Sequence, residues 1–181
     1  MKIVLGFATF IVVFGCGIMN LIFDLPERYI ERDVKIQEMV GTWNITAQSE
    51  TDVNKFLKDF PGWGASAPWK TITLNSDGTC MVQLEIKWLR DENEISTEFP
   101  RDPIPEDVKS NNITSCAWNL AKEKNLSNKI SPIVEFDIEY PNRYGMKYSL
   151  YIYEENNKLI LWNFIGDADD FLPQDFMKTG Q

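Results

Sequence analysis

Apolar and polar residues alternate strictly over several segments of this chain. The clearest segment is Cys80-Met81-Val82-Gln83-Leu84-Glu85-Ile86-Lys87-Trp88, in which the first residue and every second residue after it are apolar. Successive side chains of a β-strand point to opposite faces of a sheet, so this alternation gives one face to a core and the other to water. The pattern favours antiparallel sheet with one buried face.

Similar β-forming segments recur along the chain. We predict strands at 42–46, 69–74, 80–88, 114–120, 133–140, 146–153 and 159–165. Asn75-Ser76-Asp77-Gly78 forms a tight turn between the second and third of them. Because no long helix intervenes, the predicted fold is mostly β: a small antiparallel up-and-down barrel or strongly curved meander of about 7–8 strands, with a short N-terminal helix.

The rest of the chain divides around this sheet. Residues 1–23 form a signal or anchor segment, residues 24–40 a linker with a short helix, and residues 41–181 a single β-barrel domain. Pro26 starts the predicted helix and Gly41 ends it. A second helix is predicted at 51–60 with Asp52 as its N-cap, and the proline-bearing, charged residues 89–112 form a long surface excursion.

Composition excludes several functions. The chain has a formal net charge of -9 and no histidine among its 181 residues. The negative charge repels phosphate backbones, so we expect no nucleic-acid partner. Without histidine there is no Ser/His or Cys/His nucleophilic pair and no histidine-ligated metal. No other catalytic or metal-binding constellation stands out, and we therefore expect a protein that is not an enzyme and has no cofactor.

The N-terminus carries an export signal. Lys2 precedes an apolar run at 3–14, and Val13-Phe14-Gly15-Cys16 resembles the bacterial lipobox. That resemblance implies cleavage before Cys16, lipidation of its thiol with diacylglycerol and acylation of the new amino terminus. The domain would then be lipid-anchored to a membrane of the bacterial cell envelope, outside the cytoplasm. An uncleaved transmembrane anchor over residues 3–23 and a cleaved, freely secreted protein remain the alternatives.

The start of the predicted domain resembles a known family. A short helix leads into Gly41-Thr42-Trp43, as in the opening Gly-x-Trp motif of lipocalins, and Leu74-Asn75-Ser76-Asp77-Gly78-Thr79 follows as a hairpin turn. Together with the lipobox, this order resembles the lipocalin-like domains of bacterial lipoproteins. The resemblance implies that Trp43 closes one end of a ligand-carrying barrel. The sequence shows no second lipocalin motif and no arginine in the last strand to stack on Trp43.

The apolar faces of the strands supply candidate ligand-binding residues. Eight side chains would line the barrel and contact a small apolar ligand: Trp43, Val82, Leu84, Ile86, Trp88, Trp118, Phe136 and Tyr148. In a barrel of this size the same side chains can instead fill the interior as packed core. The pattern alone does not separate these two interpretations.

Two cysteines remain if Cys16 is lipidated. Cys80 and Cys116 form a candidate disulfide, which an oxidising compartment would permit. If Trp88 pairs with Thr114 across the excursion, however, Cys80 falls opposite Lys122, and the two thiols lie too far apart to bond. Both outcomes stay open at this stage.

Two functions fit these features. The first is a membrane-anchored lipocalin-like lipoprotein that binds a small apolar ligand. The second is an inhibitor or immunity-type lipoprotein that presents residues 89–112 and an acidic surface to a secreted protein partner.

Overall fold

A computed structural model describes residues 29–60, 69–88, 112–124, 128–138, 146–165 and 172–180. Two α-helices lie in this part of the chain, α1 (Ile36–Met39) and α2 (Ala47–Asp59), together with a short 3-10 helix, Ile86–Trp88. Eight strands complete it: β1 (Gly41–Ile45), β2 (Trp69–Leu74), β3 (Thr79–Leu84), β4 (Ile113–Lys124), β5 (Ile130–Ile138), β6 (Met146–Glu155), β7 (Lys158–Ile165) and β8 (Leu172–Lys178).

The eight strands form a closed antiparallel barrel. Each strand pairs with the next one along the chain, and β8 pairs with β1. The registers Trp43↔Ile72 and Trp43↔Lys178 join the first strand to its two neighbours. The prediction of a mostly β, up-and-down barrel with a short helix before it is therefore confirmed, and closure leaves no open sheet edge in this ring of strands.

Tight turns between strands follow from local residue chemistry. At the β2–β3 turn, the carboxylate of Asp77 accepts hydrogen bonds from the backbone N–H and the hydroxyl of Thr79, at 2.9 and 2.7 Å. Gly78 has φ +84°, a conformation that costs a glycine little. Asn156 and Asn157 both have positive φ between β6 and β7, as a type I′ hairpin turn requires. The hairpin predicted at Asn75-Ser76-Asp77-Gly78 is present, and β6 and β7 form a second one.

The two helices do not begin where the sequence predicted. The first helix was predicted to start at Pro26 and to end at Gly41. In the part of this segment that the structure describes, only Ile36–Met39 is α-helical. The second helix begins at Ala47 rather than near Asp52, because the Thr46 hydroxyl caps it by accepting a hydrogen bond from the Ser49 N–H at 3.2 Å. The third strand ends at Leu84, so the prediction that it reaches Trp88 is wrong.

The two ends of the barrel differ. At the α1 end lie α1, the β2–β3 turn and the β6–β7 turn. At the α2 end lie α2, the 3-10 helix and the strand ends Ile45 and Leu84. The main core lies in the barrel between them. Ile30 and Val34 also pack on it, from the leading segment, residues 29–35 before α1. No helix in the described ranges is long and apolar enough to cross a membrane.

A separate apolar cluster lies on the outer face of β6 and β7. It consists of the buried residues Tyr153, Ile160 and Trp162, which alternate with inward-facing neighbours such as Leu161. Tyr29 packs over it, with its ring centroid 5.8 Å from that of Trp162. The outer side of the barrel is thus apolar where the leading segment crosses it.

Candidate functional site

The α1 end is closed by Trp43. Its indole is 0% exposed, and its Nε1 donates a hydrogen bond of 2.8 Å to the backbone oxygen of Met39, which is itself buried. A large aromatic ring with a satisfied polar atom makes a stable plug. The predicted position of Trp43 at one barrel end is confirmed.

Lys178 of β8 lies beside this plug. Its Nζ donates a hydrogen bond of 3.0 Å to the backbone oxygen of Glu38 and lies 6.0 Å from the centre of the Trp43 ring. A Cβ on Gly41 would come 2.6 Å from Cε of Lys178 and would push the lysine stem aside, and the φ of +138° at this position itself favours glycine. The sequence has no arginine here, but Lys178 supplies a cation over Trp43.

Removing Lys178 tests its contribution. Lys178→Ala should lower the free energy of unfolding by about 1–2 kcal/mol, since a charged hydrogen bond and a cation–π contact are both lost. Lys178→Arg should retain most of that stability, because the guanidinium can make both contacts. Urea unfolding of the three proteins measures the effect, and an unchanged midpoint for Lys178→Ala would exclude the proposed role.

Ion pairs surround the α1 end. Arg32 contacts Glu38 at 2.9 Å and Glu154 at 3.2 Å, and Lys122 lies 2.7 Å from Asp33. The pKa of Glu38 is lowered, chiefly by the hydrogen bond from the Lys35 backbone N–H and further by Arg32. Exposed pairs of this kind contribute little individually, so we assign them to orienting the leading segment rather than to chemistry.

Most of the predicted lining residues do face the core. Trp43, Val82, Leu84, Trp118 and Phe136 are buried in the main cluster, and Tyr148 is partly buried against it. The side chain of Ile86 and residue Cys16 lie outside the part of the chain that the structure describes.

Trp88 does not lie where the alternation predicted. It follows the end of β3 and packs instead with Val53 and Phe56 of α2, in a cluster separate from the main core. Its Nε1 donates a 2.9 Å hydrogen bond to the side-chain oxygen of Asn54. Trp88 therefore holds α2 against the barrel instead of extending the row of inward residues on β3.

Trp69 is an interior residue that the sequence analysis did not identify as a candidate lining residue. Its ring lies 4.9 Å from that of Phe136 and 5.3 Å from that of Tyr148, which belong to β5 and β6 on the other side of the barrel. The indole thus reaches across the interior. The signal in the sequence was present, since Trp69 begins a predicted strand, but its inward direction depends on the β2–β3 register, which shifts between Trp69 and Thr71.

Many of the described inward side chains are fully buried, whereas Cys116, Leu120 and Tyr148 are only partly buried. Any side chain beside an internal void as large as a water molecule would expose surface to that void. Several inward side chains on six strands expose none: Trp43, Trp69, Ile72, Val82, Val134, Leu150, Ile152 and Leu161 are each 0% exposed. An eight-stranded barrel is either filled by its own side chains or wide enough to hold one small ligand. These residues border no water-sized cavity.

Three polar side chains inside this core have unsatisfied atoms. The Nε1 of Trp69, the hydroxyl of Thr114, and both the nitrogen and the oxygen of the Gln174 amide are buried without a hydrogen-bond partner. Each such group costs about 1–3 kcal/mol relative to its hydrated state. A polar atom of a ligand or a water molecule could form hydrogen bonds with these groups.

Cys80 and Cys116 form a disulfide. The two residues are directly opposite each other on β3 and β4, with their Cα atoms 4.8 Å apart. The sequence-based register, which placed Cys80 opposite Lys122, is wrong because β3 ends at Leu84 and Val82 pairs with Thr114. Disulfides persist mainly in oxidising compartments, so this bond suggests an extracytoplasmic domain.

In the part of the chain that the structure describes, no three histidine, cysteine, aspartate or glutamate side chains lie close enough together to hold a metal ion.

The closed eight-stranded barrel with Trp43 at one end is consistent with a lipocalin-like fold. No family model matches the chain, and no curated protein is significantly similar to it. The fold is compatible with a ligand-binding module.

Proposed function

We propose that this protein is a non-catalytic binding module, anchored by lipid at Cys16 to a membrane of the bacterial envelope, that recognises a protein partner through its outer surface. The observation that carries this proposal is the full burial of many inward side chains. Small-molecule sites are usually clefts or cavities of roughly 300–1,000 Å³. The fully buried inward side chains, from Trp43 to Leu161, border no space of that kind.

A titration with a fluorescent fatty-acid analogue tests the packed interior. We expect 11-dansylaminoundecanoic acid to show no saturable one-to-one binding to the full chain, because Trp69 reaches across the interior to Phe136 and Tyr148. Saturable binding that is lost on heat unfolding would contradict the proposal and favour carriage of a small apolar ligand.

That small-ligand function remains the second candidate, and one observation favours it. The unsatisfied atoms of Trp69, Thr114 and Gln174 lie within the core, where a bound molecule with a polar group would remove their cost. Such a ligand would have to displace packed side chains, which is why we place this function second.

The anchor has its own test. Metabolic labelling with a radioactive fatty acid should label the wild-type protein, and Cys16→Ala should abolish both the label and membrane retention. Membrane retention without label would instead support an uncleaved transmembrane anchor.

A further inference from the structure

A small groove lies beside α2, outside the barrel interior. It is lined by Asp52, Lys55, Phe56, Asp59, Phe60 and Leu172, and its volume is about 230 Å³. Trp88 and Val53 hold the helix from below by packing against Phe56. The groove is therefore built from residues of a helix that is fixed to the barrel.

The size of the groove limits its occupant. A volume of about 230 Å³ falls below the roughly 300–1,000 Å³ that is usual for small-molecule sites. The groove thus suits one side chain of another protein better than a lipid or a drug-sized molecule. Phe60 is 48% exposed at its edge and offers apolar surface that an incoming side chain would cover.

The charge of the groove favours a cation. Two carboxylates, Asp52 and Asp59, lie seven residues apart on α2, and Lys55 is the single basic residue in the lining. The negative end of the helix dipole adds to this potential at Asp59, the last residue of α2, and Lys58 in the same turn offsets part of it. An ammonium or guanidinium group would therefore gain favourable electrostatic energy here.

The aromatic residues select between the two basic side chains. The rings of Phe56 and Phe60 lie 5.0 Å apart, but Phe56 is buried against Val53 and Trp88, so Phe60 alone of the two offers an exposed ring. A guanidinium group is planar, so it stacks on an aromatic face while its N–H groups bond to a carboxylate. An ammonium group lacks the planar face. Arginine is thus the side chain that uses both the carboxylates and the exposed Phe60 ring.

We infer that the groove beside α2 binds an arginine side chain of the protein partner. This inference rests on the proposed function, because it identifies the part of the outer surface that a protein partner would contact. It adds the chemistry of that contact: one arginine of the partner seated between Asp52, Asp59 and the exposed Phe60 ring.

The test uses a minimal probe. N-acetyl-arginine-methylamide is titrated into the full-length protein, and the ring resonances of ¹³C-labelled phenylalanine are followed by NMR. We expect saturable shifts of Phe56 and Phe60 with a dissociation constant on the order of 1 mM. N-acetyl-citrulline-methylamide, which has nearly the same shape without the charge, should produce no saturable shift.

Variants locate the binding. Asp52→Asn/Asp59→Asn should weaken the arginine probe at least about tenfold. Asp137→Asn, which alters an exposed carboxylate on β5, should leave its affinity unchanged. Equal shifts with the citrulline probe, or an unchanged affinity in the double variant, would overturn the inference.

The outcomes separate the groove from the proposed function. If the probe fails but the protein captures a protein partner from its own envelope, the function stands and the groove is not the contact. If the probe binds as expected but the fatty-acid analogue also binds the interior saturably, the groove stands and the proposed main function fails.

Discussion

Trp43→Ala is expected to lower the free energy of unfolding by about 3–5 kcal/mol, the usual cost of deleting a fully buried tryptophan. The indole is 0% exposed, its Nε1 is bonded to the Met39 carbonyl, and Lys178 lies over the ring. Removing it leaves a cavity at the α1 end and an unsatisfied carbonyl. Urea unfolding followed by circular dichroism measures the loss.

Two further variants interpret that result. Trp43→Phe keeps an aromatic ring and should retain much of the stability. Trp63→Ala removes the same residue type from a glycine-rich stretch, and the sequence predicts a much smaller cost there; Trp63 lies outside the described residues. Equal midpoints for Trp43→Ala and Trp63→Ala would mean that Trp43 does not plug the barrel.

Removing the disulfide should have an effect of similar size. Cys80 and Cys116 are 36 residues apart in sequence, and the loop-entropy relation for that separation gives about 4 kcal/mol of stability at 25 °C. The Cys80→Ala/Cys116→Ala variant should therefore unfold at a clearly lower urea concentration than the oxidised wild type.

Reduction provides the control for this prediction. Dithiothreitol should shift the unfolding midpoint of the wild type towards that of the double variant and leave the double variant unchanged. A wild-type midpoint that does not respond to full reduction of the thiols would contradict the stabilising role of the bond.

Much of the sheet was predictable because alternation reports directly on burial. On β3, Cys80, Val82 and Leu84 are buried, and the intervening Met81 and Gln83 are exposed, as the pattern indicated. The alternation continues beyond Leu84, however, while the strand does not. Trp88 finds its burial against α2, and the periodicity of a strand cannot reveal that a neighbouring helix supplies the apolar surface.

Contacts between distant strands were less predictable. The Cys80–Cys116 bond depends on where β3 ends, since a shift of a few residues in register moves Cys116 away from Cys80. Lys178 meets Trp43 only because β8 pairs with β1, and no local pattern encodes that closure. The degree of interior filling is likewise hidden, because alternation gives the direction of Trp69 or Phe136 but not the space between them.

The groove beside α2 was absent from the sequence-based site for a similar reason. The residues Asp52, Phe56 and Asp59 share one helix, but Leu172 comes from β8 and closes the groove from the other side. The predicted helix also began several residues too late, near Asp52. Only the observed packing of α2 between Trp88 and β8 makes these side chains one surface.

Native mass spectrometry after gentle detergent extraction from the bacterial envelope tests the central claim most directly. The account predicts a chain that begins at an acylated Cys16, carries no small apolar molecule, and is held in a salt-sensitive complex with a protein partner. It also predicts that Asp52→Asn/Asp59→Asn weakens that complex. A one-to-one complex with a small apolar molecule, and no protein partner, would contradict the account.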